Sequence, residues 1–359
     1  MDAVKDRLEV ASLDHPNCLV SKSLAEFSDS VSAVDLDLVV KSVPSFKSGL
    51  KRLSGGEFDL LAVPARSLHG HQMAMLEARC SVVAARSPRR TAQVLVSENR
   101  LWYQPKAAII LAESQVVRRQ LRRARRGIRV LAPTSYAGIH GLDAPPSDAL
   151  EQACWMEDLR GSGAIDAYVT SRDVYDSLRP GERRHALGVD PQERGGEHFL
   201  PVAYSDLVIF IARVGFPSRL AELVTELEGQ TAWWVQDHML GSMTADEVDK
   251  VGILVRHQQV GAIMRKAEEF LDLVVESAFH DPYGEVPDTE VHVEIRMEIL
   301  SNDGRHTLSL ERLVPYSDYE PATIAVLQDW DLMVANATVA LAAHSREGPA
   351  ADAWIDLDE

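Results

Sequence analysis

Arg118 and Arg119 stand side by side where a short apolar run gives way to a helix, and residues of that type at that place can bind an anion. Residues 106–111 read as a strand buried on both faces of a parallel sheet; Ser114 can cap the helix that follows, and Gly127 can stop it. The start of a helix presents unpaired N–H groups with partial positive charge, and guanidinium forks add bidentate recognition of a carboxylate. Ser114, Gln115, Arg118 and Arg119 therefore form one candidate ligand-binding group. The alternative is a solvated basic face, which suits Arg122, Arg123, Arg125 and Arg126 better.

A second group follows the strand expected at residues 58–63, at the carboxyl end where open α/β sheets place ligand groups. Arg66 offers an anion contact, Ser67 a hydrogen bond, and His69 or His71 a proton-transfer group near neutral pH, with His69 the catalytic candidate. The plainer alternative is a surface loop with two solvated histidines. Tyr204, Ser205 and Asp206 open a strand expected over residues 203–212. Tyr204 and Ser205 are ligand-binding candidates there and Asp206 a second catalytic one, against a turn or cap role for the aspartate. His280, Asp281 and Glu285 bring three ligand types close together without a second cluster, so a solvated turn is the better reading and no metal is expected. Trp233, Trp234 and His238 read as helix-face packing or an interaction patch.

These groups need βα units to hold them. Strand and helix signals alternate through residues 36–41, 46–53, 58–63, 106–111, 114–126 and 128–131. Beyond Gly229 the pattern changes: residues 248–276 read as a long helical region and residues 322–343 as a closing helix. Between them residues 291–299 alternate strictly, with His292, Glu294, Arg296 and Glu298 on the face expected to meet water. Asn302, Asp303 and Gly304 signal the turn of a hairpin into residues 307–311.

In order along residues 56–286, several of these segments resemble hydroxymethylbilane synthase, also called porphobilinogen deaminase. They are the Asp59-Leu60-Leu61-Ala62-Val63 strand with its loop to Leu68, the Arg118-Arg119-Gln120-Leu121 helix, the strand of Ala164 to Val169, and Leu200-Pro201-Val202-Ala203 running on to Arg213. Together they cover somewhat under half of the chain. The resemblance implies two doubly wound, periplasmic-binding-protein-like α/β lobes around a cleft, plus a small α+β third domain. Residues 1–100 with 203–229 would form the first lobe, 101–202 the second and 230–359 the third domain. It also implies that paired arginines hold the carboxylates of a pyrrole chain.

The departures decide the expected chemistry. The family's catalytic aspartate falls on Ser67 and its preceding lysine on Arg66, while its glycine-glutamine-glycine motif has become Tyr204-Ser205-Asp206. The cysteine that carries the dipyrromethane cofactor falls on Gly284 or Ala278, and the chain's cysteines are Cys18, Cys80 and Cys154. No dipyrromethane is expected, nor any other cofactor. The leading expectation is a divergent, transferase-like relative with altered chemistry on a carboxylate-bearing small molecule, in specialised metabolism. The alternative is a non-catalytic small-molecule binding or regulatory protein; a genuine hydroxymethylbilane synthase comes third.

Composition bounds the partners. A net charge of −17, from 54 acids against 37 bases, gives no support to nucleic-acid or anionic-membrane binding. Only 8 of the basic residues are lysines, which leaves few candidates for Schiff-base chemistry. There is no Walker A, dinucleotide-fingerprint, zinc-peptidase or hydrolase-elbow motif. With no apolar run of membrane-spanning length and no secretory leader, a cytoplasmic address is expected.

Overall fold

The computed structural model describes residues 6–15, 18–29, 36–86, 93–178, 183–191, 196–280, 284, 286 and 290–338. Expectations placed on Asp281 and Glu285, and on the closing helix beyond residue 338, lie outside the described residues.

The chain divides into two compact units, residues 1–91 with 204–245 and residues 92–203 with 246–359. The first stretch carries β1 (Asp6–Ser12), α1 (Val20–Ser28), β2 (Leu36–Ser42), α2 (Phe46–Ser54), β3 (Leu60–Pro64), α3 (Gln72–Glu77) and β4 (Cys80–Arg86). The second unit begins with β5 (Gln93–Val96), β6 (Ile109–Leu111), α4 (Gln115–Ala124), β7 (Arg129–Leu131), α5 (Pro133–His140), α6 (Ala149–Gly161), β8 (Ala167–Ser171), α7 (Arg172–Leu178) and β9 (Arg184–Leu187). The first unit resumes with β10 (Val208–Arg213), α8 (Ser218–Val224) and α9 (Leu227–Leu240). The last stretch holds α10 (Ala245–Val248), β11 (Val251–Gln259), α11 (Val260–Phe270), α12 (Leu273–Ala278), β12 (Val291–Leu300), β13 (Thr307–Pro315) and α13 (Tyr319–Thr338).

Each unit holds a five-stranded sheet of one plan. The first is ordered β2-β1-β3-β10-β4, with β1 parallel to β2 and β3 and with β10 antiparallel to both of its neighbours. The second is ordered β7-β6-β8-β5-β9, with β6 parallel to β7 and β8 and with β5 antiparallel to β8 and β9. Helical crossovers build the parallel part, and one strand enters it antiparallel, β10 from a later stretch of chain in the first sheet and β5 from just before β6 in the second. Every residue of β3 is buried, which is why its sequence is apolar without alternation.

An aspartate clasps the third strand to the first in both sheets. Asp59 Oδ2 accepts from Glu9 N at 2.9 Å while Asp59 N donates to Glu9 O at 2.9 Å. Asp166 Oδ2 accepts from Ile109 N at 2.8 Å while Asp166 N donates to Ile109 O at 3.0 Å. Both aspartates belong to segments that carry the resemblance, and in this fold both join strands.

Four expectations need correcting. The second unit begins near residue 92, because residues 93–96 pair with β8 and β9. Residues 230–245 belong to the first unit, where α9 packs on β4 and Glu226 N, just before it, donates to Ala85 O at 3.0 Å. Residues 251–259 are a strand instead of part of a long helix: Val251, Ile253 and Val255 alternate along β11, which pairs with β12 over its whole length. The strand expected from residue 203 starts at Val208, because Tyr204 and Asp206 turn the chain with φ of 60° and 54°.

The third sheet, β11-β12-β13, is antiparallel and belongs to the second unit. Val293, Ile295, Met297 and Ile299 line one face of β12. The opposite face does not meet water as expected: His292, Glu294, Arg296 and Glu298 are all buried. Much of what covers it comes from α4.

Candidate functional site

The arginine helix forms as its sequence directs. Ser114 caps it, accepting from Val117 N at 3.4 Å, and Gly127 takes the left-handed conformation shortly after its end, at φ +85°. Its arginines do not converge on one point. Arg118 folds back, donating to Ala112 O at 3.0 Å and to Glu113 O. Arg119 is fully buried and donates to Leu300 O at 2.6 Å and Asn302 Oδ1 at 2.5 Å. Gln115 is half-buried at the first helical position.

Nor are Arg122 and Arg123 a solvated face. Arg122 donates to Asn302 O at 2.6 Å and Val130 O at 2.7 Å. Arg123 bridges to Glu298 at 2.6 Å and reaches His198 O at 2.6 Å, while Gln120 gives its amide to Leu200 O at 3.0 Å and Glu298 at 2.8 Å. His198 Nε2 lies 3.0 Å from the same carboxylate. Burial alone would push the Glu298 carboxyl up; the hydrogen bond from His198 and the charge of Arg123 overcome it and bring it down to about 2. The hairpin turn touches the helix backbone as well. A Cβ on Gly304 would sit 2.7 Å from Arg123 N and 2.8 Å from Arg119 O, and Gly304 has φ +70°.

The neighbouring part of the same face is held in the same way. Asp190 takes bonds from Arg256 at 2.9 Å and Lys266 at 2.9 Å, and Arg256 also donates to Glu294 at 2.5 Å. Burial would raise the Asp190 carboxyl; those two cations hold it at about 2. Arg296 donates to Val189 O at 2.9 Å. A strand face rich in charge thus marks an internal ionic seam.

The first unit gathers the other candidates. Because β10 runs antiparallel to β3, with Val208 opposite Pro64, the chain before β10 lies at the carboxyl end of β3, and Ala65 N donates to Leu207 O at 2.8 Å. The turn bearing Arg66, Ser67 and His69 thereby meets the turn of Tyr204, Ser205 and Asp206. The segment after α9 pins the first of these: Arg66 donates to Ala245 O at 3.0 Å, and His69 Nε2 lies 2.9 Å from Met243 O. A carbonyl can only accept, so this contact places a proton on Nε2 and leaves Nδ1 of a neutral ring as an acceptor. His71 Nδ1 lies 3.2 Å from His69 O, and the His71 ring meets Phe46 edge-on at 5.2 Å.

Tyr204 sits at the centre of this end. Its N–H donates to Gln236 Oε1 at 2.7 Å, and its ring lies 6.0 Å from both His69 and Trp233. Only 2% of the residue is exposed, and neither its hydroxyl nor His69 Nδ1 has a hydrogen-bond partner among the described residues. Burial pushes the Tyr204 phenol up, reinforced by the charge of Asp237, whose own carboxyl burial also raises. His15, after β1, is lowered by burial and by the charge of Arg66. Asp206 lies within electrostatic reach of the buried Cys18 thiol, which burial pushes up.

Sequence reasoning missed His15, Gln236, Asp237 and the Met243–Ala245 carbonyls. Three of these four lie beyond residue 229, in chain assigned to another domain. No group of metal ligands stands among the described residues, and no helix there is long and apolar enough to cross a membrane.

No protein-family model and no curated protein matches the sequence. Among solved structures, the periplasmic aliphatic sulphonate-binding protein of Escherichia coli is similar at 14% identity and TM-score 0.32, over 93% of this chain and 93% of that one. The alkanesulfonate-binding protein of Xanthomonas axonopodis pv. citri, bound to MOPS, gives 11% and 0.30 over 92% and 95%. The lipoprotein Tp32 of Treponema pallidum gives 11% and 0.33 over 66% and 95%. Likeness this low carries no function across, and the two-lobed α/β reading rests on the strand orders above. The expected cytoplasmic address is corrected: two of these neighbours are named periplasmic or lipoprotein.

Proposed function

We propose that this chain is a non-catalytic small-molecule binding or regulatory protein, and that its ligand is a small carboxylate held in the first unit by the Arg66, Ser67, His69 and Tyr204 turns. One observation supports this above others: two turns at the carboxyl end of β3 bring a cation, a hydroxyl and two buried, unpartnered polar atoms together. Buried polar groups are almost always bonded, and leaving one unmade costs about 1–3 kcal/mol, so two at one sheet end call for a partner. Ser67 stands where the resembled family has its catalytic carboxylate, which favours binding over turnover. The test is native mass spectrometry and thermal-shift screening against small carboxylates, hydroxycarboxylates and sulfonates, with NMR of the recovered ligand. Saturable binding with the ligand returned unchanged is expected; chemical conversion of a bound ligand would overturn the non-catalytic reading.

A second reading, descent from hydroxymethylbilane synthase with its chemistry lost or altered, is favoured by the order of the matched segments along the chain. The family's dipyrromethane does not fit this chain. Ala278, at the end of α12, and Gly284 offer no sulfur, while Cys18 and Cys80 are buried in the first unit and the exposed Cys154 lies on α6. After incubation with porphobilinogen, the intact mass is expected to equal that of the sequence. A covalent adduct of two pyrroles would restore the enzymatic reading.

A further inference from the structure

We infer that the first unit's site is built for a small hydroxycarboxylate, whose carboxylate accepts from the Tyr204 hydroxyl and whose own hydroxyl donates to His69 Nδ1. The inference rests on the ligand-binding reading above and names the ligand's chemical class.

The directions of the two open bonds differ, and that difference selects the ligand. His69 Nε2 is committed as a donor to Met243 O, so Nδ1 of the neutral ring needs a donor. The Tyr204 hydroxyl can donate to an acceptor. The two rings lie 6.0 Å apart between centroids, a span that a ligand of a few heavy atoms can bridge. A plain carboxylate satisfies Tyr204 and leaves Nδ1 open; a hydroxyl on the neighbouring carbon completes the set. Arg66 and Ser67 stand on the same turn, just before His69, and bring a positive charge and a hydroxyl to this end of the sheet.

Backbone strain at this place is an independent observation. Tyr204 holds a positive φ of 60°, where a bulky side chain is an outlier, and Asp206, of a type that enters this region more readily, follows at 54°. Such conformations persist where the surroundings fix them, and Gln236 does so by taking the Tyr204 N–H. The ring lies 6.0 Å from both His69 and Trp233, with its hydroxyl buried.

Calorimetric titration of the full chain with lactate and with propionate tests this, alongside Tyr204→Phe. Lactate is expected to bind the unaltered protein at least tenfold more tightly than propionate, because a site that bonds a hydroxyl rejects the analogue lacking it. Tyr204→Phe keeps the ring and is expected to hold or raise the thermal midpoint without ligand while weakening lactate at least tenfold. Equal affinity for lactate and propionate overturns the role of His69. Unchanged lactate binding by Tyr204→Phe overturns the role of the hydroxyl, and a lowered midpoint with unchanged binding means that a buried water is its partner. If neither probe binds while another anion of the screen does, this inference falls and the binding reading stands; if nothing in the screen binds, both fall.

Discussion

The arginine helix of the second unit and the Arg66–Tyr204 end of the first begin from similar material, basic side chains beside the carboxyl end of a buried parallel strand. They finish differently. Around α4 the guanidinium groups of Arg118, Arg119, Arg122 and Arg123 all meet carbonyls or side-chain oxygens, several at 2.5–2.7 Å, and Glu298 is bonded by three residues. Around Tyr204 the backbone is strained and two buried polar atoms stay open, while beside α4 Gln120 Oε1 and Arg125 Nε are open without the same tyrosine strain. Open bonds alone do not tell the two apart; open bonds beside a strained tyrosine mark a place for something else to bind. An arginine count cannot separate the two cases; the partners of each donor can.

The largest test of that contrast is Glu298→Ala. Removing one partner of a buried ionic cluster costs about 3–5 kcal/mol, read by chemical denaturation near neutral pH. Acid should act on the same group. Its carboxyl is held at about 2 against an ordinary 4.5, so its stabilisation is complete above about 4.5 and is lost as the pH falls towards 2. The gap corresponds to about 3 kcal/mol, and Glu298→Ala should flatten that part of the acid profile. An unaltered profile would break the claim that the seam holds the third sheet.

Arg119→Leu should cost about 2–4 kcal/mol, because the buried Leu300 O would lose its Arg119 donor and Asn302 one of its contacts. Gly304→Ala should cost about 1–3 kcal/mol, since its φ is positive and the new methyl would meet helix backbone that cannot step aside. Tyr204→Phe runs the other way and should gain up to about 1 kcal/mol by removing an unbonded hydroxyl. Arg126→Ala, at an exposed position, should change stability by less than about 0.5 kcal/mol. If Arg126→Ala cost as much as Arg119→Leu, the helix would be a diffuse basic patch and the comparison would fail.

Local signals in the sequence reach quite far into this fold. Ser114 and Gly127 bracket α4, and the run into Leu111 is a parallel strand, because caps and burial leave their marks within a few residues. Alternation and Asn302-Asp303-Gly304 likewise announce the β12–β13 hairpin. What covers an element leaves no such mark. His292, Glu294, Arg296 and Glu298 have the periodicity of a wet face, and only the placement of α4, Val189, Asp190 and His198 shows them covered. β11 is hidden among helix-favouring neighbours because its pairing partner lies some 40 residues on. The Tyr204 end draws on chain near residues 15, 66, 204 and 236, and no local pattern joins such distant pieces.

The insertion of β10 between β3 and β4 also has a consequence for how the protein is made. These two strands are joined only through a segment that leaves the ribosome about 120 residues after β4. At roughly 5–20 residues per second the nascent chain therefore waits about 6–24 s with two unpaired strand borders in its first unit. Such borders are templates for pairing with other chains. The five strands of the second unit's own first sheet emerge within that interval, so of the two five-stranded sheets the one begun first is completed last. Slowed translation between residues 93 and 207 should raise aggregation of nascent chains, and a chaperone that shields strand borders should offset it.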